Sequence, residues 1–377
     1  MKRKICFIVS SPLTAKAFLL THIETLAAEF DIYLVGNFEN ESQKNISSHL
    51  TAVFDVKIER NINLIKDAKA LLALRKILKR HAFDAIHSIT PKAGLLGIFA
   101  GKLANIKVRT HIFTGQVWFT KSGPMKLLLI NIDRFIVSLA TNILVDGLAQ
   151  RNFLIEHKIV TAKNAIVLGK GSISGVDTIK FVPKLEIKEK YRKELNYTDN
   201  DVVFLFMGRL NIDKGVIDLA NAFEKLQTEL ANVKLLFIGM DEGNLLPAIE
   251  KIVGLQNFKF YGPTNQPELL LQVADVFCLP SYREGFGTSI IEASILELPI
   301  ICSDTYGLQD TIIDEVTGYR HKVKDVRDLY RQMKKMVTQT DKRLEMGKAG
   351  RKYVLDNFSG NQISGYWLNY YKHLLDV

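Results

Sequence analysis

The 377-residue sequence predicts an α/β protein of two doubly wound domains, and three observations carry the prediction. Short apolar runs of strand length alternate with longer segments of helical period. The alternation starts at residue 4, halts at a polar, charged stretch over 181–201, and restarts at Val202. Such alternation argues for parallel sheets with helices on both faces, since parallel strands need crossover connections. The restart argues for two sheets, and the length suits two domains.

In the first half, Lys4–Ser10, Asp31–Gly36, Ala82–Ile89, Val108–Phe113, Asn142–Val145 and Ala165–Leu168 read as buried strands. The segments between them have helical period. Phe181–Asp201 reads as a linker. Its Asp199-Asn200-Asp201 is a turn and cap signal before a strand, not a metal site. Val202–Met207, Lys234–Ile238, Phe258–Tyr261, Val276–Leu279 and Pro299–Cys302 are the strands of the second half. A last helix, Ser359–Leu375, carries the aromatic residues Tyr366, Trp367, Tyr370 and Tyr371, which suit packing.

With 47% hydrophobic and 24% charged residues the composition is that of a soluble globular protein. No apolar run reaches the roughly 18 residues of a membrane span. Residues 2–10 are too short for a signal-peptide core and read as the first strand. Cys6, Cys278 and Cys302 lie in strand-like runs without metal or redox spacing, which suits buried thiols in a reducing cytoplasm. Residues 1–180 hold 25 Lys+Arg against 13 Asp+Glu, a net of +12, while the remainder holds 25 against 27, a net of −2. A basic first half attracts anionic surfaces or substrates.

The stretch 279–294 is the most informative. Strand Val276–Leu279 leads through a turn with Gly285 and Gly287 into a helix from Thr288 to Leu298. Glycine lets a ligand approach the backbone, and Thr288 or Ser289 is the expected cap of a helix whose N-terminus attracts an anion such as phosphate. Glu284 lies in the turn and Glu292 about one helical turn inside the helix. After Val202–Met207 comes Gly208-Arg209-Leu210-Asn211-Ile212-Asp213-Lys214-Gly215, and an arginine fork with a lysine point charge is what a diphosphate needs. Glycine turns Gly239–Gly243 and Gly262–Asn265 follow the next two strands. In open α/β sheets these strand ends converge on one ligand-binding edge.

Arg209 and Lys214 in their glycine-bounded loop, with Pro280-Ser281, Glu284-Gly285-Phe286-Gly287 and Glu292, resemble the donor site of family 4 retaining glycosyltransferases of the GT-B fold. The resemblance covers essentially the whole chain. It implies two Rossmann-like domains facing across a cleft: an acceptor domain over 1–180, a nucleotide-sugar donor domain over 181–358, and a C-terminal helix (359–377) crossing back onto the first. It implies that Arg209, Lys214, Gly287 and Thr288 hold the donor diphosphate. Glu284, Gly285, Phe286 and Gly287 then meet the transferred sugar, and Glu292 binds the ribose. The donor is a nucleotide diphosphate sugar of UDP type, with no further cofactor and no metal.

In the first domain, His87–Gly94, His111–Gly115 and Leu168–Asp177 resemble the branch that builds bacterial surface polysaccharides, such as O-antigen or capsule. The family's glycine pair in the first loop is absent, Ser10-Ser11-Pro12-Leu13-Thr14 standing there instead. Where the family carries a histidine before Gly115 this chain has Thr114, leaving His111 or His87 as the nearest imidazole. The expected catalytic groups are Glu284 and His111, with His87, Lys92 and Thr114 on the acceptor side. The implied reaction passes a hexose or N-acetylhexosamine to a polyprenyl-diphosphate-linked glycan, with no nucleic acid involved. A GT-B nucleotide-sugar epimerase and a non-catalytic nucleotide-sugar-binding protein are the alternatives. Segments Leu64–Arg80 and Ser122–Leu139 are amphipathic, and the apolar residues Met125–Ile130 beside Lys121 and Lys126 are hard to bury on one stripe. They predict peripheral contact with an anionic membrane at the cytoplasmic face.

Overall fold

The computed structural model describes residues 2–39, 46–59 and 61–377. The chain divides into two compact units, one of residues 1–175 with 360–377 and one of residues 176–359. Both are parallel α/β structures.

Unit 1 holds a seven-stranded sheet in the order β3-β2-β1-β4-β5-β6-β7. Its strands are β1 (Lys4–Ile8), β2 (Asp31–Gly36), β3 (Ala52–Asp55), β4 (Ala85–Ile89), β5 (Val108–Phe113), β6 (Asn142–Val145) and β7 (Ala165–Val167). Strand β1 shows why the sheet needs helices on both faces. Ile5 and Phe7 enter one core and Cys6 and Ile8 the other, as a period of two requires. One core takes helix Leu20–Ala27 and helix Gly360–Leu374, with Trp367 and Tyr371 fully enclosed; the other takes helices Leu64–His81 and Pro91–Leu103.

Unit 2 holds a six-stranded sheet in the order β10-β9-β8-β11-β12-β13. These are β8 (Val202–Met207), β9 (Val233–Ile238), β10 (Phe258–Gly262), β11 (Val276–Leu279), β12 (Ile300–Ser303) and β13 (Gly318–His321). Edge strands β3 and β13 were not expected from the sequence. The order reverses between β8 and β11, and the loops leaving their carboxyl ends are 208–215 and 280–287. Doubly wound sheets take ligands at such a switch point.

Two expectations need correction. The stretch 181–201 is no linker but part of unit 2. Phe181 and Tyr197 are buried, and the helix Leu185–Glu194 carries a buried Arg192 paired with Asp275 at 3.0 Å and donating to the Thr198 and Asp201 carbonyls. A polar composition concealed this enclosed arginine and the Asp275 carboxylate it shares with Lys188. The helix after β11 spans Thr288–Ile295, and its cap is Gly287 in the left-handed region (φ 60°), not Thr288 or Ser289; no side chain caps it.

Candidate functional site

The loops 208–215 and 280–287 are clasped together. Gly215 (φ 67°) lies so close to the second loop that a Cβ would sit 2.2 Å from the Pro280 carbonyl oxygen. The Tyr282 N–H donates to the Asp213 carbonyl at 2.7 Å, and the Arg283 guanidinium pairs with the Asp213 carboxylate at 3.2 Å. The Tyr282 hydroxyl donates to Asp218 at 2.8 Å. None of Asp213, Asp218, Tyr282 and Arg283 was singled out from sequence.

The clasp brings the predicted residues together. Lys214 Nζ forms an ion pair with Glu284 Oε1, both side chains being mostly enclosed. Arg209 Nη1 lies 2.9 Å from both carboxylate oxygens of Glu242 in the 239–243 turn after β9, and Asn211 Nδ2 donates to the same carboxylate at 3.0 Å. Glu242 belongs to a turn whose glycines were noted, but its partner was not. Gly287 presses on Leu308, to which a Cβ would come within 2.4 Å, and the Ile290 N–H bonds back to the Gly287 carbonyl at 2.8 Å. The Phe286 side chain is buried and packs edge-on against Phe358, ring centroids 5.2 Å apart, so only its backbone remains at the loop.

Glu292 is half-buried one turn along the helix. Burial pushes its carboxyl up to about 7, the Lys180 ammonium opposing the rise and Glu268 adding to it. Lys180 and Glu268 pair with each other at 3.1 Å. Among the described residues no group of three or more His, Cys, Asp or Glu is placed to hold a metal ion.

Two family models cover most of the chain: "Glycosyl transferases group 1" matches residues 187–353 and "Glycosyl transferase 4-like" matches residues 4–146. The chain is a glycosyltransferase. This glycosyltransferase is 29% identical to the Staphylococcus aureus capsular polysaccharide biosynthesis glycosyltransferase CapM over 88% of its own length and 87% of that protein's. It is 28% identical to an Escherichia coli UDP-Gal:alpha-D-GlcNAc-diphosphoundecaprenol alpha-1,3-galactosyltransferase, covering 86% and 85%. Among solved structures it superposes on a sucrose-phosphate synthase from Thermosynechococcus elongatus with a TM-score of 0.84 at 18% identity. It also superposes on Anabaena HepE in complex with UDP and glucose, with a TM-score of 0.80 at 16% identity. Both superpositions cover 100% of each chain. The fold is of the GT-B class.

In unit 1 the glycosyltransferase encloses most of the residues expected on the acceptor side. His87 is fully buried, stacked on Trp367 (ring centroids 4.8 Å apart) and sharing a 2.6 Å hydrogen bond with the Tyr371 hydroxyl. It holds helix 360–374 rather than facing solvent. His111 is also buried, shares a 2.9 Å hydrogen bond with Ser88, and lies against Gly94, where a Cβ would come within 2.4 Å of the ring. Burial pulls its imidazole down to about 3, so it is a neutral interior group, not a base open to substrate. Lys92 is consumed by an ion pair with Asp67 at 2.7 Å. The Thr114 carbonyl accepts from Gln150 at 2.7 Å.

Gln150 also accepts from the Asp146 N–H at 2.7 Å, and the Ser172 N–H donates to the Asp146 carbonyl at 2.7 Å. Asp146 and Gln150, neither read from sequence, thereby join the loops after β5, β6 and β7. Burial pushes the Asp146 carboxyl up to about 7, against a hydrogen bond from the Ile173 backbone.

Helix Gly123–Leu139, which follows β5, buries only Asp133 and Ile136. Asp133 accepts from the Trp118 indole at 2.7 Å, and its carboxyl is pushed up by burial to about 6. Met125, Leu127, Leu128 and Phe135 are exposed, with Phe119 beside them in the preceding turn. No helix among the described residues is long and apolar enough to cross a membrane.

Proposed function

We propose that this glycosyltransferase moves a hexose or N-acetylhexosamine, with retention, from a nucleotide diphosphate sugar bound by unit 2 to a polyprenyl-diphosphate-linked glycan bound by unit 1, in surface-polysaccharide synthesis. The observation that carries the reading is that the loops leaving β8 and β11 at the switch point hold Arg209 and the Lys214–Glu284 pair, and the second leads into helix 288–295, whose N-terminus no side chain caps. The names of the relatives support the acceptor class, since two of them specify diphosphoundecaprenol-linked sugars. HepE complexes with UDP and with UDP-glucose support a UDP-sugar as donor.

In this reading Arg209, Lys214 and the Gly287–Thr288 backbone hold the diphosphate. Glu292 takes the ribose hydroxyls, and Glu284 with the Gly285–Gly287 backbone meets the transferred sugar. As the bond from the anomeric carbon to the diphosphate oxygen breaks, the sugar gains oxocarbenium character and negative charge gathers on the leaving phosphate. Lys214 and the helix-tip N–H groups face that charge in a preorganised site, and stabilise it more in the transition state than in the ground state. The Glu284 carboxylate, drawn from Lys214 once the diphosphate takes the ammonium, is free to face the positive sugar. A panel of UDP- and GDP-sugars with a polyprenyl-diphosphate-sugar acceptor tests the reading. A glycosylated lipid is expected; an isomerised nucleotide sugar, or binding without turnover, would overturn it.

The exposed Met125, Leu127 and Leu128 beside Lys121 and Lys126 support peripheral docking to the cytoplasmic face of the plasma membrane, where a lipid-linked acceptor is found. Each cation near an anionic surface adds about 1 kcal/mol. The full chain should float with anionic vesicles at low salt, and Lys121→Glu/Lys126→Glu should remain at the bottom of the gradient. Equal flotation of both proteins counts against this surface.

A further inference from the structure

Glu242 has no part in the transfer just described, yet it occupies one of the two cations assigned to the diphosphate. Both its carboxylate oxygens lie 2.9 Å from Arg209 Nη1, and Asn211 Nδ2 donates to one of them at 3.0 Å. We propose that Glu242 sets the affinity for the donor diphosphate, by neutralising Arg209 in the empty site and opposing the phosphate charge in the filled one. The proposal rests on the reading that Arg209 meets the diphosphate.

An anion that reaches the Arg209 guanidinium comes within a few ångströms of the Glu242 carboxylate, and like charges at that range raise each other's energy. The size of the effect is set by exposure. The Arg209 and Glu242 side chains are 49% and 34% exposed, against 19% and 14% for Lys214 and Glu284. Water and salt therefore screen the first pair, and the penalty is modest and sensitive to ionic strength. A loosely held counter-ion of this kind favours release of the nucleoside diphosphate after transfer. Geometry separates charge from positioning: glutamine at 242 keeps an oxygen for Arg209 Nη1 and removes only the charge, whereas alanine removes both.

The experiment is calorimetric titration of the full chain with UDP, or with GDP if the donor panel selects it. The proteins compared are the wild type, Glu242→Gln, Glu242→Ala, Arg209→Ala and the double variant Arg209→Ala/Glu242→Gln. Glu242→Gln should tighten binding about two- to fivefold at low salt, the range of an exposed ion pair. The gain should vanish at ~1 M salt, where charges are screened beyond ~3 Å. It should also vanish in the Arg209→Ala background, and the donor KM should fall in step at low salt. Glu242→Ala should gain less than Glu242→Gln, because it loses the hold on Arg209. Unchanged or weaker binding by Glu242→Gln, or an equal gain without Arg209, overturns the proposal while the donor site stands. Unchanged binding by Arg209→Ala counts instead against the donor-site reading itself.

Discussion

At the switch point of unit 2 cations and carboxylates pair across loops in reach of water. In the core of unit 1 three histidines are neutral and enclosed. Arg209 pairs with Glu242 and Lys214 with Glu284, so each cation has a carboxylate beside it and some exposure to solvent. His22, His87 and His111 have neither, and burial holds all three imidazoles below their ordinary range. Unit 2 can thus exchange an internal carboxylate for an incoming phosphate. Unit 1 has spent these three histidines on structure: His22 stacks on Trp367 at 4.5 Å and bonds Ser364 at 2.8 Å, His87 holds Tyr371, and His111 bonds Ser88. None of these three enclosed imidazoles reaches the surface to meet a diphosphate.

The largest effect that can break this contrast lies in unit 1. Trp367→Ala removes the ring on which both His22 and His87 stack, and should cost ~3–5 kcal/mol of stability. Denaturant unfolding should show the midpoint falling; an unchanged midpoint would mean helix 360–374 contributes little. Acid acts on the same cluster. His22 sits at about 4 and His111 at about 3, against an unfolded value near 6.5. Their neutral forms therefore contribute stability that is full above pH 6.5 and is lost as pH falls from there toward 3. Thermal melts of the wild type and of His22→Gln across that window should show the variant less sensitive to acid.

In unit 2 the leading effect is on binding. Lys214→Ala should weaken the nucleoside diphosphate and transfer together by ~1.5–3 kcal/mol, the worth of a charge-assisted contact. A folded Lys214→Ala protein with unaltered affinity removes Lys214 from the site. The smallest effect sharpens the comparison, because Glu292 behaves like a unit 1 residue placed in unit 2. Its carboxyl is raised to about 7, so it favours the folded state below pH 4.5 and loses that contribution as pH rises through 7. Glu292→Gln should make the ligand-free protein melt at a higher temperature at pH 8, by less at pH 5, while weakening nucleotide binding. Stability lost at pH 8 would contradict a strained carboxylate.

Much of the fold was legible because buried parallel strands are short apolar runs: Val202–Met207 and Val276–Leu279 match β8 and β11 at both ends. Strand β3 escaped because it is partly exposed and ends at Asp55, and β13 because Gly318, Arg320 and His321 leave no apolar run, buried though most of it is. Arg209, Lys214, Glu284 and Glu292 could be read because glycine turns announce where a chain bends toward a ligand. Their partners could not. Glu242 is 33 residues from Arg209, and Arg283 is 70 from Asp213. Such pairs are set by the order of strands, which no local pattern records. The burial of His87 and the pairing of Lys92 were hidden for the same reason, since they depend on a helix more than 200 residues away for His87 and on an Asp67 brought in by a crossover for Lys92.

Helix 360–374 fills the core of unit 1, yet all of residues 176–359 are synthesised between it and the rest of that unit. On the ribosome, unit 2 is a continuous segment that can complete its sheet while unit 1 still lacks Trp367 and Tyr371. The earlier-made half of this enzyme is therefore the later to mature. Until the last helix emerges, the apolar face of β1 and helix 20–27 stands open, the interval in which a chaperone would find most to hold.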